Sequence, residues 1–237
     1  MEAIVLAGGL GTRLRETVPN LPKPMAPIGS RPFLTYLLEN LSQQGVGRVV
    51  LSVGYRHEQI SRYFGDTYAA MSLIYSIEDA PLGTGGAIRQ SMQLVTDDVV
   101  FVLNGDTMAA VDYPNMHSRH KAEGAHLTMA LRAVPDASRY GRVEVAQGRV
   151  VRFQDNTHTG AGLINAGVYL MRADLLGAYD LPMKFSFEQD FLLPQLAALS
   201  PLAVTTDGYF IDIGIPEDFH RAQVELPERF GKAASHE

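Results

Sequence analysis

Leu6-Ala7-Gly8-Gly9-Leu10-Gly11-Thr12-Arg13-Leu14 is a glycine-rich turn set directly behind a short apolar segment, Ala3 to Leu6, that reads as an opening strand. Glycines at such a turn let backbone N–H groups approach phosphates with no side chain in the way. The loop is not of the Walker A type, because no Gly-Lys-Ser/Thr follows its first glycine at the required distance. A dinucleotide fingerprint needs Gly-x-Gly-x-x-Gly. Gly9 and Gly11 supply the first two places, but Leu14 stands in the third and no acidic residue closes the next strand near Val53. A redox cofactor is therefore disfavoured, and a phosphate-bearing ligand remains.

Working outward, Lys23 lies in Leu21-Pro22-Lys23-Pro24-Met25. Prolines on both sides restrict the backbone, which predicts a lysine held on a stiff extended segment and aimed at a fixed anion. The competing reading of Arg13 and Lys23 is a pair of ordinary solvated charges. Strand and helix patterns then alternate: strands at Arg48–Val53, Leu73–Ile77 and Val99–Leu103, with helices at 33–41 ahead of Gly45, at 57–69 and at 85–94. That alternation predicts βα units around a parallel sheet. The second half is richer in strand pattern: Leu127–Val134, Arg142–Ala146, Val150–Phe153 and Leu163–Met171, with Gln147-Gly148 as a hairpin turn and helices at 187–199 and 216–224. The fold expected is α/β: a Rossmann-like, doubly wound, mostly parallel mixed sheet carrying the nucleotide, continuous with a β-rich half carrying the second substrate. One domain over 1–237 is expected, with 1–112 mainly for nucleotide and 113–237 mainly for the second substrate.

The 237 residues are 46% hydrophobic and 19% charged, enough for a substantial core. No apolar run approaches the ~20 residues that span a bilayer. No basic, apolar leader precedes the first strand, so no membrane and a cytoplasmic location are expected. The net charge of −6 gathers no basic stripe, which argues against nucleic acid. Cysteine is absent, so disulfides and thiolate chemistry are excluded. The histidines show no ligand spacing: His117 and His120 fall in a polar helix and His158 in a loop, so no zinc is assigned. Whether the chain forms a homo-oligomer stays open at this level.

The stretch from Leu6 to Leu14 followed by Pro22-Lys23-Pro24 resembles the signature of the sugar-phosphate nucleotidylyltransferases, the nucleotide-sugar pyrophosphorylases. Further matches follow in order along the whole chain: Glu78 with Pro81-Leu82-Gly83-Thr84-Gly85-Gly86-Ala87, Leu103-Asn104-Gly105-Asp106, Arg139-Tyr140-Gly141, Leu163-Ile164-Asn165-Ala166-Gly167, Phe185-Ser186-Phe187-Glu188 and Ile211-Asp212-Ile213-Gly214. Within that family the wording of Lys23-Pro24-Met25-Ala26-Pro27, Tyr75-Ser76-Ile77-Glu78 and Tyr209 to Gly214 is most similar to the heptose 1-phosphate guanylyltransferases.

The resemblance implies attack of a sugar phosphate oxygen on the α-phosphorus of a nucleoside triphosphate, with pyrophosphate leaving and a GDP-sugar for surface polysaccharide as product. Two anions must meet, so neutralisation and alignment outweigh covalent catalysis. It implies Arg13, Lys23 and Asp106 as catalytic residues, with Arg15 a helper. Asp106 and Asp212 are the expected Mg²⁺ ligands, since that ion takes few protein oxygens besides substrate phosphates. Either aspartate could instead serve as a turn former. Nucleotide is expected at Leu6, Ala7, Gly8, Gly9, Gly11, Thr12, Arg13, Glu78, Pro81, Gly83, Thr84, Gly85, Asn104 and Gly105. Glu78 could accept from guanine and so favour GTP, and Gly85 with Gly86 reads equally as a tight helix entry.

The sugar phosphate is expected at Tyr140, Gly141, Glu144, Asn165 and Glu188, although core packing competes for Tyr140 and a first-turn helix acid for Glu188. Where many relatives carry Glu-Lys after the hairpin, this chain reads Phe153-Gln154-Asp155-Asn156, which leaves Arg152 or Lys184 as cations for the sugar phosphate. The rival readings are the same reaction with mannose, glucose or muramic acid 1-phosphate and GTP, UTP or dTTP, and a non-catalytic nucleotide-sugar sensor.

Overall fold

The computed structural model describes residues 1–9, 21–154 and 160–230. In the first half, β1 (Glu2–Leu6) is followed by a small hairpin, β2 (Pro27–Ile28) and β3 (Arg31–Pro32), that leads into α1 (Phe33–Gln43). Then come β4 (Arg48–Val53), α2 (His57–Phe64), the β5 (Thr67–Tyr68) and β6 (Met71–Ile77) hairpin, α3 (Gly83–Met92), β7 (Val99–Asn104), β8 (Thr107–Ala109) and α4 (Tyr113–Ala122). The second half holds β9 (Leu127–Val134), β10 (Val143–Ala146), β11 (Arg149–Phe153), β12 (Gly162–Arg172), α5 (Leu196–Leu199), β13 (Leu202–Thr206), β14 (Phe210–Asp212) and α6 (Pro216–Phe230).

One ten-stranded sheet runs in the order β10-β11-β13-β9-β12-β7-β1-β4-β6-β5. β1 lies parallel between β4 and β7, and β4 lies parallel to β6. β1, β4 and β7 are nearly continuous apolar runs because both faces of the sheet are covered there. Alternation within β1 divides the cover: Ala3 and Val5 face the core containing α1, whereas Ile4 faces the one containing Ile88 of α3. β12 extends the sheet by running antiparallel to both β7 and β9, and β13 lies parallel to β9. The sheet is therefore mixed, parallel around β1 and mainly antiparallel beyond β7.

The structure corrects several sequence expectations. α2 ends at Phe64, because Gly65 takes φ +62 and the chain reverses through Ala69 and Ala70, both with positive φ, into β6. The helix expected over 187–199 is a π-helical turn, Phe187–Leu192, separated from the short α5; Pro194 between them has no N–H to continue a helix. α6 continues past Val224 to Phe230, since its inward series Phe219, Ala222 and Leu226 keeps helical spacing. α4 is not polar all round: His120 is buried, and its Nδ1 lies 2.7 Å from the Thr128 hydroxyl. No helix among the described residues is long and apolar enough to cross a membrane.

Candidate functional site

The chain leaves β1 for β4 on one side and returns to β7 on the other, so strand order reverses at β1. Ligands of open α/β sheets bind beyond the carboxyl ends of the strands at such a reversal. Leu6 stands there in register with Ser52 of β4 and Asn104 of β7. Two backbone hydrogen bonds close the edge, Ala7 N–H to Ser52 O at 2.7 Å and Gly105 N–H to Leu6 O at 3.0 Å.

A cavity of about 720 Å³ opens above this edge, between the start of the glycine loop and the 78–87 segment. Of the residues expected to hold nucleotide, Leu6, Gly8, Gly9, Glu78, Pro81, Gly83 and Thr84 line it. Glu78 is fixed from two directions: the Ser52 hydroxyl donates to Oε1 at 3.2 Å and the Leu82 N–H to Oε2 at 3.1 Å. A Cβ at Gly8 would lie 2.8 Å from Glu78 Oε1 and 3.3 Å from Gly54 N, so a larger residue there would push the Glu78 carboxylate out of its place. Ala7 and Gly105 are buried below the cavity rather than in its wall. Gly85 lies in the first turn of α3 against the Phe185 ring, which a Cβ would overlap. Gly11, Thr12, Arg13 and Arg15 lie outside the described residues, as do Asp155, Asn156 and His158.

Lys23 sits in a single 3₁₀ turn, Lys23–Met25, rather than the extended segment expected, because Pro24 carries a helical φ; Pro22 before it is extended. The turn delivers the Lys23 ammonium onto Asp106 Oδ2, with Asp212 Oδ1 3.7 Å away. Asp106 follows β7 and Asp212 ends β14. The β8–β14 pairing sets Thr107 opposite Asp212, and the Ile213 N–H donates to Asp106 O at 3.0 Å. Two aspartates more than a hundred positions apart are thereby presented to one lysine. Burial, and then the charge of Asp106, push the Asp212 carboxyl above its ordinary value.

No cluster of three or more His, Cys, Asp or Glu side chains spaced for a metal occurs among the described residues. Two hard carboxylates facing each other across Lys23 do fit Mg²⁺, which completes its shell with water and substrate phosphate.

On the other side of Asp212, the Arg139 guanidinium lies 3.8 Å from Oδ2 and donates to the buried Asp218 of α6. It also covers the Tyr140 ring at 4.8 Å, and that ring meets Phe210 edge-on. Sequence reasoning missed Arg139, although it is the first residue of the Arg139-Tyr140-Gly141 match. It missed Ser52 as well, whose signal is a hydroxyl at the carboxyl end of an otherwise apolar strand.

A second cavity of about 160 Å³ adjoins the first and shares Leu6 and Thr84 with it; Asn104, Tyr169 and Glu188 also line it. Asn165 Nδ2 donates to Glu188 Oε1 at 2.7 Å. Tyr140, Gly141 and Glu144 line neither cavity, and Glu144 accepts from the Gln154 amide. Arg152 is exposed on β11, paired in register with Glu144, and Lys184 is exposed just ahead of Phe185.

Residues 2–229 match the Nucleotidyl transferase family. The chain is 47% identical over 226 residues to D-glycero-alpha-D-manno-heptose 1-phosphate guanylyltransferase of Aneurinibacillus thermoaerophilus, covering 95% of this chain and 98% of that one. It is 43% identical over 221 residues to the protein of the same name from Campylobacter jejuni, covering 93% and 97%. Among solved structures it is similar to HddC from Yersinia pseudotuberculosis, with a TM-score of 0.86 and 36% identity over 95% of this chain and 99% of that one. The same protein complexed with GMP-PN gives a TM-score of 0.85. The fold is the α/β, nucleotide-diphospho-sugar transferase type that the glycine loop pointed to, and the chain belongs to the nucleotidyl transferase family.

Proposed function

We propose that this chain transfers the guanylyl group of GTP to D-glycero-α-D-manno-heptose 1-phosphate, forming a GDP-heptose and releasing pyrophosphate. The heptose and the guanylyl group are the ones named for the two relatives that match along nearly their whole length. A sugar phosphate oxygen bonds to the α-phosphorus while the bond from that phosphorus to the β-bridging oxygen breaks. The observation that carries the reading is the Lys23 ammonium held between Asp106 and Asp212, with Asp106 two positions beyond Asn104, which lines the smaller cavity.

In this reading the first half serves mainly nucleotide and the second mainly sugar phosphate, within one domain. Lys23 offsets charge on the reacting phosphates, and Arg13 takes the leaving pyrophosphate by resemblance to the family. Glu78 accepts from the N1–H and exocyclic amine of guanine, an edge that uracil and thymine lack. Arg139 gives the sugar phosphate its cation where Gln154 follows the hairpin, because it already lies beside Asp212. Asp106 and Asp212 are the ligands proposed for Mg²⁺. Bound there, the ion would screen the triphosphate and withdraw charge from the α-phosphorus. Asn165 and Glu188 take the sugar hydroxyls.

The test is pyrophosphate release in the presence of Mg²⁺, with GTP, UTP, dTTP, ATP and CTP crossed against heptose, mannose and glucose 1-phosphates. Turnover confined to GTP and the heptose phosphate supports the reading. Preference for another pair keeps the reaction and removes the substrates, whereas no turnover with any pair leaves a nucleotide-sugar sensor.

A further inference from the structure

Tyr169 stands in the middle of β12 with its ring 3% exposed, meeting Phe187 edge-on at 5.1 Å. Packing alone would be served as well by phenylalanine, and a buried hydroxyl has to find a partner. This one donates to Oε1 of Glu188, the same oxygen that receives the Asn165 amide at 2.7 Å. Asn165 Nδ2 also lies 2.5 Å from the Tyr169 hydroxyl, so phenol, amide and carboxylate oxygen close a triangle. Burial, then the charge of Glu188, push the Tyr169 phenol well above its ordinary value, so it keeps its proton and remains a donor.

The backbone under Glu188 is fixed separately. The Ser186 hydroxyl accepts from the Gln189 N–H at 3.2 Å, and the Ser186 N–H donates to Asp190 Oδ2 at 2.7 Å. What the capping leaves free is the Glu188 side chain, and the triangle holds it. Among the described residues no donor reaches its second oxygen, Oε2, and Glu188 lines the smaller cavity. A carboxylate with one oxygen saturated and the other open has one orientation to offer a ligand, and it loses little side-chain freedom on binding.

We propose that Tyr169 is a positioning residue for the sugar: its hydroxyl, with the Asn165 amide, pins Oε1 of Glu188 so that Oε2 stays turned to the cavity and accepts from adjacent ring hydroxyls of the sugar 1-phosphate. This rests on the reading of Glu188 as a sugar-side residue.

The experiment is steady-state kinetics of the full chain with Tyr169→Phe, Glu188→Gln and the double variant. Tyr169→Phe keeps the ring against Phe187. It should raise KM for the sugar 1-phosphate roughly tenfold, with KM for the nucleotide within about twofold and the thermal midpoint only a few degrees lower, as one lost hydrogen bond to a carboxylate costs. In the Glu188→Gln background the same change should add no more than about twofold, because the hydroxyl acts through that carboxylate. Tyr169→Met, which also removes the hydroxyl, carries the same expectation if the phenylalanine variant does not fold. If Glu188→Gln weakens the sugar but Tyr169→Phe does not, or if the two losses multiply, the positioning role is overturned. If Glu188→Gln leaves the sugar KM untouched, the sugar-side reading falls and the proposal with it.

Discussion

The backbone N–H of Phe187 donates to the Thr84 hydroxyl at 2.9 Å, joining the helix entry beside the larger cavity to the π-helical turn that carries Glu188. Phe185 adds a reciprocal pair, its N–H to Leu82 O at 3.0 Å and its O from the Gly85 N–H at 2.9 Å. The segment bordering the larger cavity and the turn bordering the smaller one are thus one piece of structure. Thr84→Val strands a buried N–H, which costs about 1–3 kcal/mol. The thermal midpoint should fall, and KM should rise for both substrates together. Thr84→Ser should restore all three values, and loss confined to one substrate would contradict the coupling.

Glu78→Gln keeps the volume of the side chain but replaces one acceptor oxygen with a donor. With Ser52 and Leu82 still in place, the wall should discriminate less between bases. The kcat/KM for GTP should drop at least about tenfold, and UTP or dTTP should lose less. A triphosphate panel at fixed sugar phosphate reads this directly.

Lys23→Met removes the charge that Asp106 and Asp212 share. Turnover should fall roughly 100-fold to 1000-fold, in line with the loss of one preorganised electrostatic contact. The two facing carboxylates should also bind a divalent cation more tightly once the lysine is gone, so Mg²⁺ should raise the thermal midpoint of the variant more than that of the parent. Unchanged pyrophosphate release would remove Lys23 from the chemistry.

His120 supplies a pH dependence distant from the site. Burial, followed by the charges of His117, His126, Lys121 and Arg172, lowers its pKa to about 4. Folding therefore opposes its protonation. Its contribution is complete above the free-histidine range near pH 6.5 and is lost as pH falls from there towards 4, by on the order of 2 to 3 kcal/mol. Urea unfolding across that interval should record the loss, and His120→Gln should flatten it. Catalytic constants at neutral pH should stay as they were.

The parallel half of the fold was legible because its strands are apolar on both faces and its glycines stand at element ends, so Leu6, Glu78 and Asp106 could be placed at one edge from pattern and resemblance. β13 escaped although Ser200-Pro201 marks a turn ahead of it, because Leu202-Ala203-Val204-Thr205-Thr206 is short, and its pairing with β9 and β11 is what makes it a strand. The Lys23 turn was misread because flanking prolines are compatible with both an extended segment and a 3₁₀ turn, and contact with Asp106 decides between them. Tyr169 gave no signal at all, since a tyrosine in an apolar strand looks like core. Its hydroxyl acquires meaning only from Glu188, which reaches it from 19 positions away.

Leu6 and Thr84 border both cavities, which constrains how descendants of this chain can diverge. With nucleotide proposed in the larger cavity and sugar phosphate in the smaller, a substitution at either residue would alter the fit of both at once and would rarely offer a path to a new pairing with the old partner retained. Separate evolution of base and sugar preference has to run through the outer walls, Tyr55 and Asp79 on one side and Ser186 and Glu188 on the other. Libraries built to widen the substrate range should vary those walls one at a time and leave the shared partition alone.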